Sequence, residues 1–389
     1  MERFMQLLGS TRQVGAVYHL KVDAAARRIV SISAPSGNLN FWTWDMGYRM
    51  LPIRFRQWGE AAALQDPTSM RHYRERNGDF YVRRGADVAI SSDGSRVACV
   101  GPRSALEIYG PREPSPLVVG APGQFASLCF DKTGRRLIAT GWMGVRPPPL
   151  DELAVPQAAL IDVDAGLVLA ERVLVGSPVV LHPSGQLFVS ALNDEDVCHI
   201  RFHRTSNSLE PTKRIVEDSV RITAIECSPD GRSLAYVSQD SGFGISVLDM
   251  PTLKPKFSRF YEYPRILPFH YQPRWCCAFG ADGYSIFWPT PSGHVIELDS
   301  HSGAELNCWR AHESSILSIA VREDLGLIFT GDAVGLIKVW RLPPSHSPKG
   351  ASDPNRVVQE FNALDISAAT TTTVTVSGEG GRHFYPLPT

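Results

Sequence analysis

The sequence lacks a long apolar run. None of its 389 residues falls in an uninterrupted apolar stretch of 18, which argues against a membrane-crossing helix. It has no Asn-x-Ser/Thr sequon and no secretory core near Met1, so nothing marks it for export. An excess of one charge is missing too. The 39 Lys and Arg stand against 40 Asp and Glu, and a net charge of -1 gives no global pull toward nucleic acid or a membrane surface. Cysteine is sparse: Cys99, Cys129, Cys198, Cys227, Cys276, Cys277 and Cys308 sit mostly in strand-like apolar runs with no Cys-x-x-Cys pair. Seven such residues read as reduced thiols of the cytoplasm or nucleus. Residues 1–15 hold Arg3 and Arg12 but also Glu2, so a folded strand is the reading there, with mitochondrial import as the minor alternative.

The signatures of catalysis are absent as well. There is no Gly-x-Ser-x-Gly elbow, no His-Glu-x-x-His, no Walker lysine loop and no Gly-x-Gly-x-x-Gly. His199 and His203 share a strand face but lie roughly 13 Å apart, too far for one zinc. Cys276 and Cys277, as strand neighbours, point to opposite faces. Asp93, Asp230 and Asp282 recur at one turn position, which is turn chemistry and not acid catalysis. The expectation is therefore no enzyme, no catalytic residue, no metal, no cofactor and no small-molecule substrate.

What the chain does have is self-similarity. Short runs of β-branched and aromatic residues alternate with tight turns. The turn glycines Gly94, Gly134, Gly185, Gly231, Gly283 and Gly326 follow one another at 40, 51, 46, 52 and 43 residues. Eight units follow from this pattern, at about 14–45, 86–110, 124–163, 177–203, 220–249, 274–299, 311–341 and 360–387. Each has three strands, and a fourth precedes the next unit, as in Ile53-Arg54-Phe55, Val168-Leu169-Ala170 and Leu306-Asn307-Cys308-Trp309. No 11-residue window carries a helical period.

The seventh unit is the fullest: His312, then Ile316–Val321, Leu327–Gly331 and Leu336–Trp340. It resembles one unit of the WD-repeat β-propeller family, and the other units resemble it in skeleton. The resemblance implies an all-β fold, a single propeller of four-stranded blades over 1–389, with eight blades and a seven-bladed ring as the alternative. A ring left open would expose two sheet edges, so residues 2–9 are expected to supply the outer strand of the last blade. The family's hydrogen-bonded blade set maps onto His312, Thr330 and Trp340. Val334 stands where the family has Asp, Asp332 lies two residues earlier, and Arg341 replaces the Asp after Trp340.

Function on such a frame belongs to the interruptions. Residues 58–80 contain Arg71, Tyr73, Arg74 and Arg76; 142–157 contain Trp142 and Arg146; 261–274 contain Tyr261, Tyr263, Arg265, Phe269 and Tyr271; 343–355 are rich in Pro and Ser. In the propeller plan the first three emerge on one face and the fourth on the other. Arg and Tyr are enriched in binding hot spots, so that face is the expected docking site for other proteins, several of them in a stable complex. Between residues 46 and 84 eight Arg oppose four acidic residues. RNA contact, guanidinium to phosphate and ring to base, is therefore the second reading. Membrane insertion is not expected.

Overall fold

A computed structural model describes residues 5–13, 16–23, 28–34, 39–44, 50–56, 87–91, 93–100, 106–110, 116–119, 124–143, 155–173, 175–193, 198–205, 209–218, 221–239, 242–262, 276–280, 283–322, 326–342, 354–367, 372–375 and 384–385. The first strand, β1 (Gln6–Arg12), belongs to the last sheet. Blade one is β2 (Ala16–Asp23), β3 (Arg28–Ala34), β4 (Leu39–Trp44) and β5 (Met50–Arg56). Blade two is β6 (Val88–Ile90), β7 (Val97–Val100), β8 (Leu106–Tyr109) and β9 (Leu117–Val119). Blade three is β10 (Gln124–Phe130), β11 (Arg136–Met143), β12 (Val155–Asp162) and β13 (Leu167–Val173). Blade four is β14 (Val179–Leu181), β15 (Leu187–Asn193), β16 (Cys198–Arg204) and β17 (Pro211–Asp218). Blade five is β18 (Arg221–Cys227), β19 (Ser233–Gln239), β20 (Gly242–Asp249) and β21 (Pro255–Glu262). Blade six is β22 (Ala278–Phe279), β23 (Ser285–Pro289), β24 (His294–Asp299) and β25 (Glu305–Arg310). Blade seven is β26 (Ile316–Arg322), β27 (Leu327–Asp332) and β28 (Leu336–Arg341), with β1 as its outer strand.

The core is not central. It is divided into seven apolar clusters, each built from two successive blades. Val17, Leu20 and Ile29 of blade one meet Phe329, Ile337 and Val339 of blade seven. Val30, Ile32 and Phe41 meet Val97, Cys99 and Tyr109 across blades one and two. The same arrangement continues around the ring. Both faces of each blade are thus covered. That explains why the middle strands read as nearly continuous apolar runs: β7 and β27 are buried at every residue.

Successive blades also interlock at their inner turns. At Gly231 φ is +74°, and a Cβ would lie 2.4 Å from His182 Nε2 in the turn of the preceding blade. At Gly134 φ is +70°, and a Cβ would touch Ser91 Cβ at 3.0 Å. The glycine spacing visible in the sequence is therefore a packing requirement as well as a hairpin requirement.

The ring has seven blades, so the eight-bladed expectation is corrected to its alternative. The described residues of the expected eighth unit, 360–387, form no blade of their own. Ala363–Ile366, expected as a strand, lies in a helix, α1 (Pro354–Ser367). The strand-like residues after it form β29 (Thr372–Thr375) and β30 (Phe384–Tyr385), which join existing blades as fifth strands. The physical reason is closure. Once β1 pairs with β28, as in Leu7 with Trp340 and Ser10 with Lys338, and blade seven packs on blade one, no gap remains for an eighth sheet. The N-terminal strand does close the ring, on the seventh unit.

Helix α1 also overturns the expectation of no helix. Val357, Val358, Phe361 and Asp365 form its buried face, at helical spacing. Val357, Val358 and Phe361 enter the cluster between blades four and five, where Phe361 meets Phe202 at 5.2 Å between ring centroids. Asp365 bonds Arg204 at 3.1 Å. Among the described residues no helix is long and apolar enough to cross a membrane.

Candidate interaction surface

The best-preserved polar residues belong to the frame. Thr330 Oγ1 is a node: Trp340 Nε1 donates to it at 2.9 Å, and it lies 2.7 Å from His312 Nε2. His312 Nδ1 lies 2.9 Å from Asp332 Oδ2. Since the carboxylate accepts, Nδ1 carries the proton there, and Thr330 donates to Nε2. Asp332 Oδ1 also accepts from the amides of Val334 and Leu336. Burial pushes Asp332 upward, but the bonds from His312 and the Leu336 amide outweigh it and hold the carboxyl below its usual range. Asp332 therefore does the work for which Val334 has no side chain. All four side chains are buried, so the set fixes the blade and faces nothing.

Among the described residues two further blades carry such sets, where the sequence leads one to expect only apolar skeleton. In blade one Trp42 Nε1 donates to Ser31 Oγ at 3.1 Å, and Ser31 donates to Gln13 Oε1 at 2.6 Å. Ser31 follows Gln13 by 18 residues, the same interval as from His312 to Thr330. That shared interval was the signal available in the sequence; Gln in place of His concealed it. In blade four His203 stands in the register position of the Trp, opposite Phe188. Its Nε2 lies 3.1 Å from Ser190 Oγ, and its ring stacks on Phe188 at 4.6 Å. Burial, with the charges of Arg201 and Arg172, lowers its pKa to about 3.

Turn carboxylates complete the frame. Asp162, Asp249 and Asp299 end the third strands of their blades and accept from amides two or three residues on. Asp93 is held at about 2 by hydrogen bonds from Ser91 and Ser95. Burial raises the thiols, Cys276 to about 12 and Cys308 to about 11, which keeps them protonated. Among the described residues no group of three His, Cys, Asp or Glu is placed to hold a metal ion.

The residues named for partner binding fare differently. Tyr261 is corrected: it is buried on β21, packed at 5.2 Å against Trp288, and it cannot serve as a surface contact. It faces inward because Phe243 and Trp288 of the inter-blade core stack beside it, and β21 is itself covered by β30. Trp142 lies near the end of β11, paired with Gln124 and Pro156. Arg71, Tyr73, Arg74, Arg76, Arg146, Tyr263, Arg265, Phe269 and Tyr271 lie outside the described residues. The strand ends that flank their segments are described. Arg56 ends an outer strand, Met143 a second strand and Glu262 an outer strand, and in an up-and-down sheet these ends fall at one end of the ring. Arg341 ends a third strand, at the opposite end. Helix α1 lies on that opposite end, where Asn355 meets Gln186 and Glu360 meets Arg232 in the inner turns of blades four and five.

The outer rim is a further exposed apolar surface. Val118, Leu167, Leu169 and Val173, all exposed, sit on the outer strands of blades two and three.

Together, seven blades built on four antiparallel strands, the cores between them and the N-terminal closing strand define a β-propeller. The chain matches no family model and no curated protein.

Proposed function

We propose that the chain is a non-enzymatic scaffold of WD-repeat type, a subunit of a multiprotein assembly that docks partners through loops at one end of the ring. One observation carries this reading: the strand ends flanking 57–86, 144–154 and 263–275 share an end of a frame whose polar sets are internally bonded. A frame fixed in this way holds the flanking strand ends in place, so no affinity is lost to ordering the frame itself. Its conspicuous His and Asp residues are committed to the blade. The test is to replace Tyr263, Phe269 and Tyr271 with Ala and purify the tagged chain from its native source. Hot-spot aromatics contribute about 2 kcal/mol each, so specific partners should drop out while the thermal midpoint holds. An unchanged partner set on a folded variant overturns the loop face as docking site. The eight Arg between residues 46 and 84 favour one second reading, an RNA-associated subunit. It requires RNA in the purified material and binding that falls steeply with salt.

A further inference from the structure

The innermost strands bring one residue of every blade to the same level of the axial channel. Lys21 pairs with Val30, Cys129 with Ile138 and Glu226 with Ala235. Each stands two residues before the one that closes the first hairpin of its blade: Asp23 in blade one, Asp131 in blade three and Ser228 in blade five. Ala89, Val180, Ala278 and Ala320 hold that place in blades two, four, six and seven. Six of the seven blades thus contribute a small or charged side chain no larger than Glu, and only blades one and five contribute a charge. The two charges have opposite sign.

An innermost strand meets solvent along its length only in the channel. Cys129 and Glu226 are half-buried there, and Lys21 is exposed. The field of Lys21 agrees with this placement. Burial raises Cys129, Glu226 and Cys276, and the Lys21 ammonium opposes the rise at all three, on blades three, five and six. A cation carried by blade one acts on three blades so far around the ring only from near the axis.

Neither Lys21 nor Glu226 forms an ion pair or a side-chain hydrogen bond among the described residues. The carboxylates beside them are committed. Asp87 accepts from the amides of Val88 and Leu128 and meets His19 at 3.3 Å. Asp131 accepts from Thr133 and from the Arg136 amide. A partly desolvated carboxylate without a hydrogen bond is costly, and a cation brought to it offsets that cost.

We infer that the channel at this level binds a small zwitterion, a free amino acid with an aliphatic side chain, whose carboxylate meets Lys21 and whose ammonium meets Glu226. The charge order selects the ligand class. A simple anion satisfies Lys21 but faces Glu226, and a simple cation does the reverse, whereas a zwitterion answers both with charge-assisted hydrogen bonds. Val180 and the three alanines offer no hydrogen bond and suit an aliphatic side chain. The site lies on the axis and not in the loops, so the inference stands whether or not those loops dock partners.

The test titrates the purified full chain calorimetrically with alanine, valine and leucine. The best of the three is then compared with its amide, which lacks the carboxylate, and its N-acetyl form, which lacks the ammonium. Each blocked form should bind at least about tenfold more weakly, as expected for a lost charge-assisted contact. K21M should bind the amide as well as the free amino acid, and E226Q should do the same for the N-acetyl form. K21E/E226K, with the charges exchanged, should bind the free amino acid again, in the reverse orientation. A lost contact that was merely structural would not be restored by the exchange. Matched thermal midpoints confirm the fold; if E226Q loses its transition, K21M and the amide carry the comparison. Three results overturn the inference: none of the three amino acids binds the wild type, a blocked form binds it as tightly as the free amino acid, or K21M and E226Q bind the free amino acid as the wild type does.

Discussion

Thr330 shows how a single hydroxyl holds a blade. It accepts from Trp340 and donates to His312 in a site without water access. Thr330→Val keeps the shape and removes both bonds, leaving two buried nitrogens unpaired. Each orphan costs about 1–3 kcal/mol, so the expected loss is about 3 kcal/mol in urea denaturation. A loss below about 0.5 kcal/mol, the level of a neutral surface change, would remove the set from the frame. His203 gives the pH counterpart. Its folded pKa, about 3, lies below the unfolded value near 6.5, so the unfolded chain binds more protons as pH falls. Stability from this group is full above about pH 6.5 and is lost progressively below it, toward pH 3. Between pH 7 and 5 the wild type should lose about 2 kcal/mol more than His203→Gln, whose side chain does not titrate. Equal losses in the two proteins would show that His203 is not held neutral by the fold.

At the scale of elements, α1 shows what the sequence displayed and what concealed it. Asp353-Pro354 is a helix-start pair, and Val357, Val358, Phe361 and Asp365 recur at helical spacing. The mixed content of that face, a carboxylate beside three apolar residues, weakens its period; Asp365 is buried only because Arg204 meets it. The strands were legible because each turn demands a glycine or Asp and each middle strand is covered on both faces. Phe361→Ala tests the helix. The ring is fully buried, and its removal should cost about 3–5 kcal/mol. Amide exchange should quicken at Thr372–Thr375 and along Arg214–Glu217, the pair of strands that follows from the helix being seated. If those amides are unaffected, β29 holds blade four without the help of α1.

On the scale of the whole ring, the number of blades is a property of closure and not of any one unit. Val374 and Phe384 look like strand residues because they are strand residues, yet they lie on edges of blades four and five. Local propensity reports that a segment is extended; it does not report which edge is vacant. That depends on whether β1 reaches β28 across almost the whole chain, a contact that no local window contains. The docking expectation rests on composition alone, and Tyr261 within it is buried on β21 for a reason of packing that composition does not carry. The closing contact can be fixed covalently. Gln6 and Arg341 are register partners, both exposed, at the outer pair of blade seven. Directly opposed strand residues have the spacing a disulfide needs. Q6C/R341C should therefore oxidise readily within one chain. Closing so long a loop stabilises by about 6 kcal/mol on the chain-entropy account, and the oxidised form should melt several degrees above the reduced form. A cross-link that forms only between chains, or an oxidised form that melts no higher than the reduced, would mean that the ring is closed by some other strand.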